Sequence, residues 1–234
     1  MYEELKKAVY DANMELHKHK LVIYSWGNVS GIDRAVGVVA IKPSGVTYDE
    51  LAIDKMAIVG LDGNIVEGSL KPSSDTPTHL ELYRCFTGIG AICHTHSPAA
   101  TMWAQSCREI PCFGTTHADH FFGPIPVTEI MTDDQIRNNY ELNTGRVIVR
   151  RFAHLDPVQR RAVLVANHGP FTWGRTPAEA VEAMVVLEQV AAMALGTIII
   201  NPAQGLVSKA LLNKHYFRKH GKGAYYGQRP AGKQ

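Results

Sequence analysis

Two histidines one residue apart, His94 and His96, follow the apolar run IGAIC in the stretch ICHTHS. On a strand, alternate residues share a face, so both imidazoles would point one way with Cβ atoms about 7 Å apart, a span one ion can bridge. The pair alone describes a solvent-facing or hydrogen-bonded couple equally well. A third imidazole, His168, follows a second apolar run, AVLVAN, and precedes Gly169 and Pro170. Functional side chains concentrate where strands leave the core. Three histidines with one open position are the layout of a catalytic zinc or related divalent site. Taken singly, His168 also reads as a turn residue satisfying its own backbone.

Two polar segments have the chemistry of an anion cradle. KPSGV (42–46) offers Lys42, the Ser44 hydroxyl and a Gly45 amide open to close approach. KPSSDTPTH (71–79) offers Ser73 and Ser74 just before a helical run. Helix N-termini favour anions because their amides are unpaired and the dipole is positive there. Neither segment is a P-loop, and each reads alternatively as a turn with an N-cap. Asp75 could be a first-turn carboxylate with a stabilising role only. In GTTHADHFFG (114–123), Asp119 lies between His117 and His120 and is a candidate acid/base group or a solvent-facing loop acid. Near the C-terminus, Tyr225 and Tyr226 in GKGAYYGQ are either packing aromatics or a proton donor.

The elements that must carry these groups follow from periodicity. Residues 3–18 place Leu5, Ala8, Val9, Ala12 and Leu16 at helical spacing. SWGNVSG breaks the pattern, VGVVAIKP predicts a strand, and MAIVGLDGNIVEG a hairpin about Asp62-Gly63-Asn64. The run after SSD predicts a helix with a Ser/Asp cap, IGAICHTH a strand, and PAATMWAQS a helix with Pro98 in its first turn. DDQIRNNYELNTG predicts a helix closed by Gly145, and RVIVRRF a strand. RAVLVANHGPFTWG reads as strand, tight turn, strand. The longest helix begins at Thr176 and Pro177, and SKALLNKHYFRKHG predicts a last helix. Helices and strands alternate but hairpins interrupt them, which predicts α/β layers around a mixed sheet in one domain.

The chain has 234 residues, 45% apolar and 20% charged, with a net charge of +2. That composition fits a soluble globular domain and carries no global nucleic-acid or membrane signature. No Asp or Glu follows Glu188, whereas Lys209, Lys214, Arg218, Lys219, Lys222, Arg229 and Lys233 do. This end is a solvated basic tail or a surface that meets an anion. The cysteines Cys85, Cys93, Cys107 and Cys112 form no C-x-x-C pair and read as reduced thiols of a cytoplasmic protein. The charged N-terminus is no signal peptide, and the apolar run VEAMVVLEQVAAMALGTIII holds Glu182, Glu188 and Gln189, which predicts a buried helix.

Taken in order, WGNVSG, IKPSGV, KPSSDTPTH, HTHS, GTTHAD, NHGPFTWG and LLNKHYFRKHGKGAYYGQ resemble the class II aldolase and adducin superfamily, in particular its ketopentose-phosphate 4-epimerase branch. The resemblance runs from about residue 1 to Gln228. It implies a single 1–228 domain of three-layer αβα fold with a central mixed, mostly antiparallel sheet, leaving 229–234 as a disordered tail. It implies a divalent metal, zinc first and manganese or cobalt as alternatives, on His94, His96 and His168 with Asp75 at the site. It implies Asp119 and Tyr226 as acid/base residues, with Tyr226, His215 and Arg218 supplied by a neighbouring subunit of a homotetramer. Ser44, Gly45, Ser73 and Ser74 match its phosphate-binding positions, and Asn28 and Lys42 its substrate contacts. The implied reaction interconverts L-ribulose 5-phosphate and D-xylulose 5-phosphate by breaking and remaking C3–C4, a step met in both arabinose and ascorbate catabolism. Partners expected from this are a phosphosugar and further copies of the chain, with no nucleic acid and no membrane.

Two other readings share these motifs. A class II sugar-phosphate aldolase would release two products, but the resemblance implies that such aldolases use Glu near the position of Asp75 as catalytic base, and the shorter Asp in SSDTPTH favours the epimerase branch. An adducin-like binding module would keep the fold without a working metal site, and the intact trio of histidines argues against it.

Overall fold

The computed structural model describes residues 2–226, so Gln228 and the 229–234 tail expected to be disordered lie outside the described residues. The chain runs α1 (Glu3–Lys18), β1 (Asn28–Asp33), β2 (Val38–Ile41), a 3-10 turn at Ile53–Lys55, β3 (Ala57–Gly60), β4 (Ile65–Glu67), α2 (Thr76–Cys85), β5 (Ala91–His94), α3 (Pro98–Gln105), α4 (Thr115–Ala118), α5 (Asp133–Arg137), α6 (Tyr140–Arg151), β6 (Ala162–Leu164), β7 (Pro170–Gly174), α7 (Pro177–Ile200) and α8 (Lys209–Lys219). The strands form one sheet in the order β4-β3-β2-β1-β5-β7-β6. Every pairing of neighbours is antiparallel. The mixed character expected from the sequence reduces to one isolated parallel bridge, Val127 to Leu164.

Side-chain alternation makes the three layers. Ala91 and Cys93 of β5 join the core cluster that holds Val9 and Leu16 of α1, Ala100 of α3 and Leu187 of α7. Ile92 joins the opposite cluster, with Leu82 and Tyr83 of α2, Ile148 of α6, and Trp173 of β7. His94 falls two residues beyond Ile92, so it faces the α2 and α6 side. By length and composition α7 is apolar enough to cross a membrane. It packs along β5, β7, α1 and α3 as a core helix. Its start is fixed by Thr176, whose hydroxyl accepts from the Glu179 amide at 3.2 Å, with Pro177 in the first turn. Such a cap contributes about 1 kcal/mol.

Three sequence expectations are corrected. The helix over 133–145 and the strand over RVIVRRF are instead the short α5 and a continuous α6 that passes through Gly145. Glycine is needed there because a Cβ would stand 2.8 Å from Glu81 Cβ and 3.1 Å from the Thr78 carbonyl of α2. Close helix packing thus overrides both the stop signal and the β-branched run. The segment read as a break, SWGNVSG, supplies β1, the central strand beside β5. The Asp75 side chain makes no cap bond to α2.

Candidate metal and anion site

His94 closes β5, and its buried Nδ1 lies 2.9 Å from the Pro170 carbonyl oxygen. A carbonyl only accepts, so Nδ1 carries the proton and donates, leaving the Nε2 lone pair free. His96 lies just past the end of the strand, so the period-two argument does not place it. The irregular 95–97 segment between β5 and α3 does. His168 sits in the β6–β7 turn, after Asn167 in the left-handed region at φ 62°. Its own amide donates to Val165 O at 3.0 Å. Gly169 must be glycine, since a Cβ would stand 2.8 Å from the Thr95 carbonyl.

These three segments bring the imidazoles together. Ring centroids are 4.9 Å apart for His94 and His96, 4.8 Å for His94 and His168, and 5.0 Å for His96 and His168. One ligating atom from each lies within 4.8 Å of the others. Burial, then the neighbouring His96, pushes His94 down to about 3. Burial, then His94 and His96, pushes His168 down to about 3. His96 is lowered by burial against the opposing pull of Asp75. All three are therefore neutral near pH 7, with lone pairs available, which is the state a metal ligand needs. The donor set fits a zinc-class divalent cation.

The same cavity, of about 340 Å³, is lined by Asn28, Ser44, Gly45, Ser73, Ser74 and Asp75 along with the three histidines. Two loops make its anion-facing wall. Ser44 N donates to Lys71 O at 2.9 Å and Ser73 N to Lys42 O at 3.0 Å, so the KPSGV and KPSSD segments are laced together. Gly45 adopts φ +74° with no atom within 4 Å of where a Cβ would stand, which leaves its backbone open to a ligand. Asp75 Oδ2 accepts from Asn28 Nδ2 at 2.7 Å. Asp75 is outside the group of three whose ligand atoms cluster within 4.8 Å, although its charge acts on His96 and His168.

Lys42 lines the cavity; the residue is 1% exposed, and its Nζ donates to Ser25 O at 3.1 Å and Val46 O at 2.5 Å. Burial lowers it to about 8. Its position is that of a tie between the 25–27 and 43–46 loops. The sequence reading assigned nothing to Trp26, Tyr140 and Glu141, which also line the cavity. Tyr140 Oη lies 3.4 Å from His168 Nδ1. Tyr140 opens α6 behind Asn139 at φ 59°, whereas the sequence pattern put it inside one helix over 133–145, so no sequence signal marked it.

Asp119 and Tyr226 do not line this cavity. Asp119 ends α4, where α8 packs against it. His215 Nδ1 and Arg218 Nε donate to its Oδ1 at 3.0 and 2.9 Å, and Arg218 Nη2 donates to Oδ2 at 2.6 Å. Burial raises the Asp119 carboxyl, but the Arg218 and His215 bonds outweigh it and the net shift is downward. The Arg218 guanidinium also lies over the Tyr226 ring at 4.7 Å from its centroid. Asp119, His215, Arg218 and Tyr226 of one chain thus form a second cluster. Within this chain Arg218 is a carboxylate partner. Within one chain, the residues expected at a single site divide between cavity and cluster.

The profile of the class II aldolase and adducin N-terminal domain family matches residues 7–195. L-ribulose-5-phosphate 4-epimerase UlaF of Salmonella paratyphi C (strain RKS4594) is 49% identical over 97% of this chain and 100% of its own length. UlaF of Salmonella paratyphi A (strain ATCC 9150 / SARB42) is 48% identical over the same shares. Among solved structures, an L-fuculose 1-phosphate aldolase superposes with a TM-score of 0.77 at 24% identity, covering 91% of this chain and 94% of its own. A sugar-phosphate aldolase from Thermotoga maritima superposes with a TM-score of 0.65 at 20% identity, over 85% of this chain and 96% of its own. At those identities the two structures speak to the fold alone.

Proposed function

The chain belongs to the class II aldolase and adducin family, and from that premise we propose that it is a divalent-metal-dependent L-ribulose-5-phosphate 4-epimerase. The observation that carries this reading is one cavity holding three neutral imidazoles beside a serine-lined, open-backbone anion wall. A ligand with vicinal oxygens at one end and a phosphate at the other matches both halves.

His94, His96 and His168 would hold the metal, with Asp75 beside them, and zinc is the first choice for such nitrogen donors, ahead of manganese or cobalt. Bound there, the cation supplies Lewis acidity toward negative charge developing on sugar oxygens. Ser44, Ser73, Ser74 and the Gly45 amide would grip the phosphate, and Asn28 would present an amide donor next to Asp75. Because C4 of the ketopentose carries no acidic proton, inversion there needs C3–C4 cleavage. A base takes the C4 hydroxyl proton, the C3–C4 electron pair moves to the three-carbon fragment, and C4 becomes an aldehyde. The aldehyde rotates, C3 re-adds to its other face, and a proton returns to the C4 oxygen. The phosphate grip keeps the two-carbon fragment in place between the steps.

Asp119 and Tyr226 are the two acid/base groups in this reading, with His215 and Arg218 holding Asp119 as a carboxylate. Their distance from the cavity lining supports a homo-oligomer, a tetramer on the family's pattern, in which one chain's cluster faces the next chain's cavity. The test is to give the purified, zinc-loaded protein L-ribulose 5-phosphate. D-xylulose 5-phosphate without net aldehyde release is expected, with about one ion per subunit. Stoichiometric aldehyde release would move the reading to an aldolase. No turnover with zinc, manganese or cobalt would move it to a binding module.

A further inference from the structure

Strand β1 and helix α2 are joined by two polar rungs. Asn28 Nδ2 donates to Asp75 Oδ2 at 2.7 Å and to Ser73 Oγ at 3.1 Å. Two residues along β1, Ser30 Oγ bonds His79 Nδ1 at 2.7 Å and Tyr83 Oη at 2.7 Å. Asn28 and Ser30 share a strand face with a repeat of about 6.6 Å. Asp75 and His79 share a helix face with a rise of about 6 Å. The rungs are therefore parallel neighbours. Each one leaves an orphan: Asn28 Oδ1 and His79 Nε2 are buried side-chain atoms without a hydrogen-bond partner among the described residues.

The direction of the protons follows from counting. Burial pushes His79 down to about 3, so the ring is neutral, with one N–H and one lone pair. If Nδ1 donated to Ser30 and Ser30 to Tyr83, the fully buried phenol hydrogen would have no acceptor among the described side chains. In the other direction, Tyr83 O–H donates to Ser30 and Ser30 O–H donates to His79 Nδ1, and both hydroxyl protons are placed. Nε2 then bears the ring proton. The two orphans become a donor on one rung and an acceptor on the other, and a buried orphan of either kind is costly.

We propose that His79 is a positioning residue: its Nε2–H, relayed through one ordered water to Asn28 Oδ1, locks the Asn28 amide with its N–H donors turned on Asp75 and Ser73. Two hydrogen bonds of about 2.8 Å meeting at one water suit a gap between rungs of this spacing. A flipped amide would set Asn28 Oδ1 against the Asp75 carboxylate. The chain Tyr83, Ser30, His79, Asn28 thus carries orientation from the core beneath α2 to the carboxylate at the cavity wall. The effect on metal affinity rests on the reading of Asp75 given above, whereas the His79 tautomer does not.

The test has two independent arms. With histidine ¹⁵N labelling of the intact protein, the His79 resonances, assigned by their loss in a variant, are expected to show protonation at Nε2. A ring protonated at Nδ1 overturns the proposal whatever the activity is. In the second arm His79→Gln keeps a donor near the Nε2 position, and His79→Asn keeps an acceptor near the Nδ1 position but loses the outer donor. Zinc affinity by competing chelator is expected to fall by about 10-fold in His79→Asn and to stay near wild type in His79→Gln. Equal losses in both, scaling with their losses in Tm, would assign His79 a structural role only. A correct tautomer with no difference in zinc affinity would retain the relay's direction and overturn its link to Asp75.

Discussion

Gly169→Ala is the sharpest probe of how the three imidazoles are held. The added methyl would stand 2.8 Å from the Thr95 carbonyl oxygen, 3.6 Å from His94 Cε1 and 3.8 Å from His96 Nδ1. The first distance is shorter than a carbon–oxygen contact tolerates, so the two backbones must part by about 0.5 Å. No left-handed φ is required at this glycine, so the cost is steric. Overpacking of this kind costs about 1–3 kcal/mol. For a chain of this size, that lowers Tm by about 2–12 °C. The displacement is directional, because Thr95 carries His94 and His96 on either side of it while Gly169 carries His168. Parting them opens the triad. A loss of about 10-fold or more in zinc affinity is expected, by analogy with other changes that disturb ligand placement. Each tenfold removes about 1.4 kcal/mol of zinc-induced stabilisation at fixed ion concentration. Thermal unfolding of the metal-free and zinc-loaded forms, with chelator competition, measures both terms. A variant whose metal-free Tm drops while its zinc-induced gain equals wild type would refute the claim that the β5 end and the 165–169 turn jointly set the triad.

Three further outcomes are expected. Arg218→Met removes two hydrogen bonds from Asp119, so that burial is opposed only by His215 and Lys219; the acid limb of the kcat/KM profile should move to higher pH, and an unmoved limb would remove Asp119 from the proton chemistry. Burial holds the His117 imidazole down at about 4, so the unfolded chain binds the extra proton first as pH falls below the ordinary value near 6.5, and by about pH 5 this group has removed about 2 kcal/mol of stability; His117→Gln, which cannot charge, should narrow the urea-measured difference between about pH 7 and pH 5 by that amount. Mixed oligomers of His94→Asn and Tyr226→Phe chains, each inactive alone, should recover activity at about one quarter of the sites if a cavity pairs with a neighbour's cluster, and no recovery after dissociation and remixing would place both functions within one chain.

The candidate site was more legible in the sequence than the elements that carry it. His94, His96 and His168 announced themselves by residue type at the ends of apolar runs, and they do converge. The reason given for two of them was incomplete, because β5 stops at His94 and His96 is placed by the irregular 95–97 segment that leads into α3. β1 was missed because Asn28, Ser30 and Gly31 look like a break. They are polar or small for reasons outside local propensity. Asn28 and Ser30 bond to α2, and a Cβ at Gly31 would stand 3.0 Å from Val9 Cγ2 and 3.2 Å from Pro177 Cγ. The sequence also offered no way to see that Lys42 turns its ammonium onto carbonyls or that Arg218 is occupied by Asp119. Both facts depend on which loops lie across from them, which no short-range pattern encodes.

The contact at Gly145 bears on what the cavity can admit. α2 carries Asp75 at its start and α6 carries Tyr140 at its start, and both residues line the cavity. The Thr78 hydroxyl donates to Glu141 O at 2.5 Å, and only the bare backbone of Gly145 faces Glu81. At that crossing the only side chain between the two backbones is Glu81, packed directly on the Gly145 backbone, so the two walls behave as one stiff wedge. The mouth cannot widen by letting these helices slide apart. A bulkier sugar would have to be accommodated by trimming side chains such as Trp26 or Tyr140, and substrate range would change in discrete steps with mutation instead of by elastic breathing.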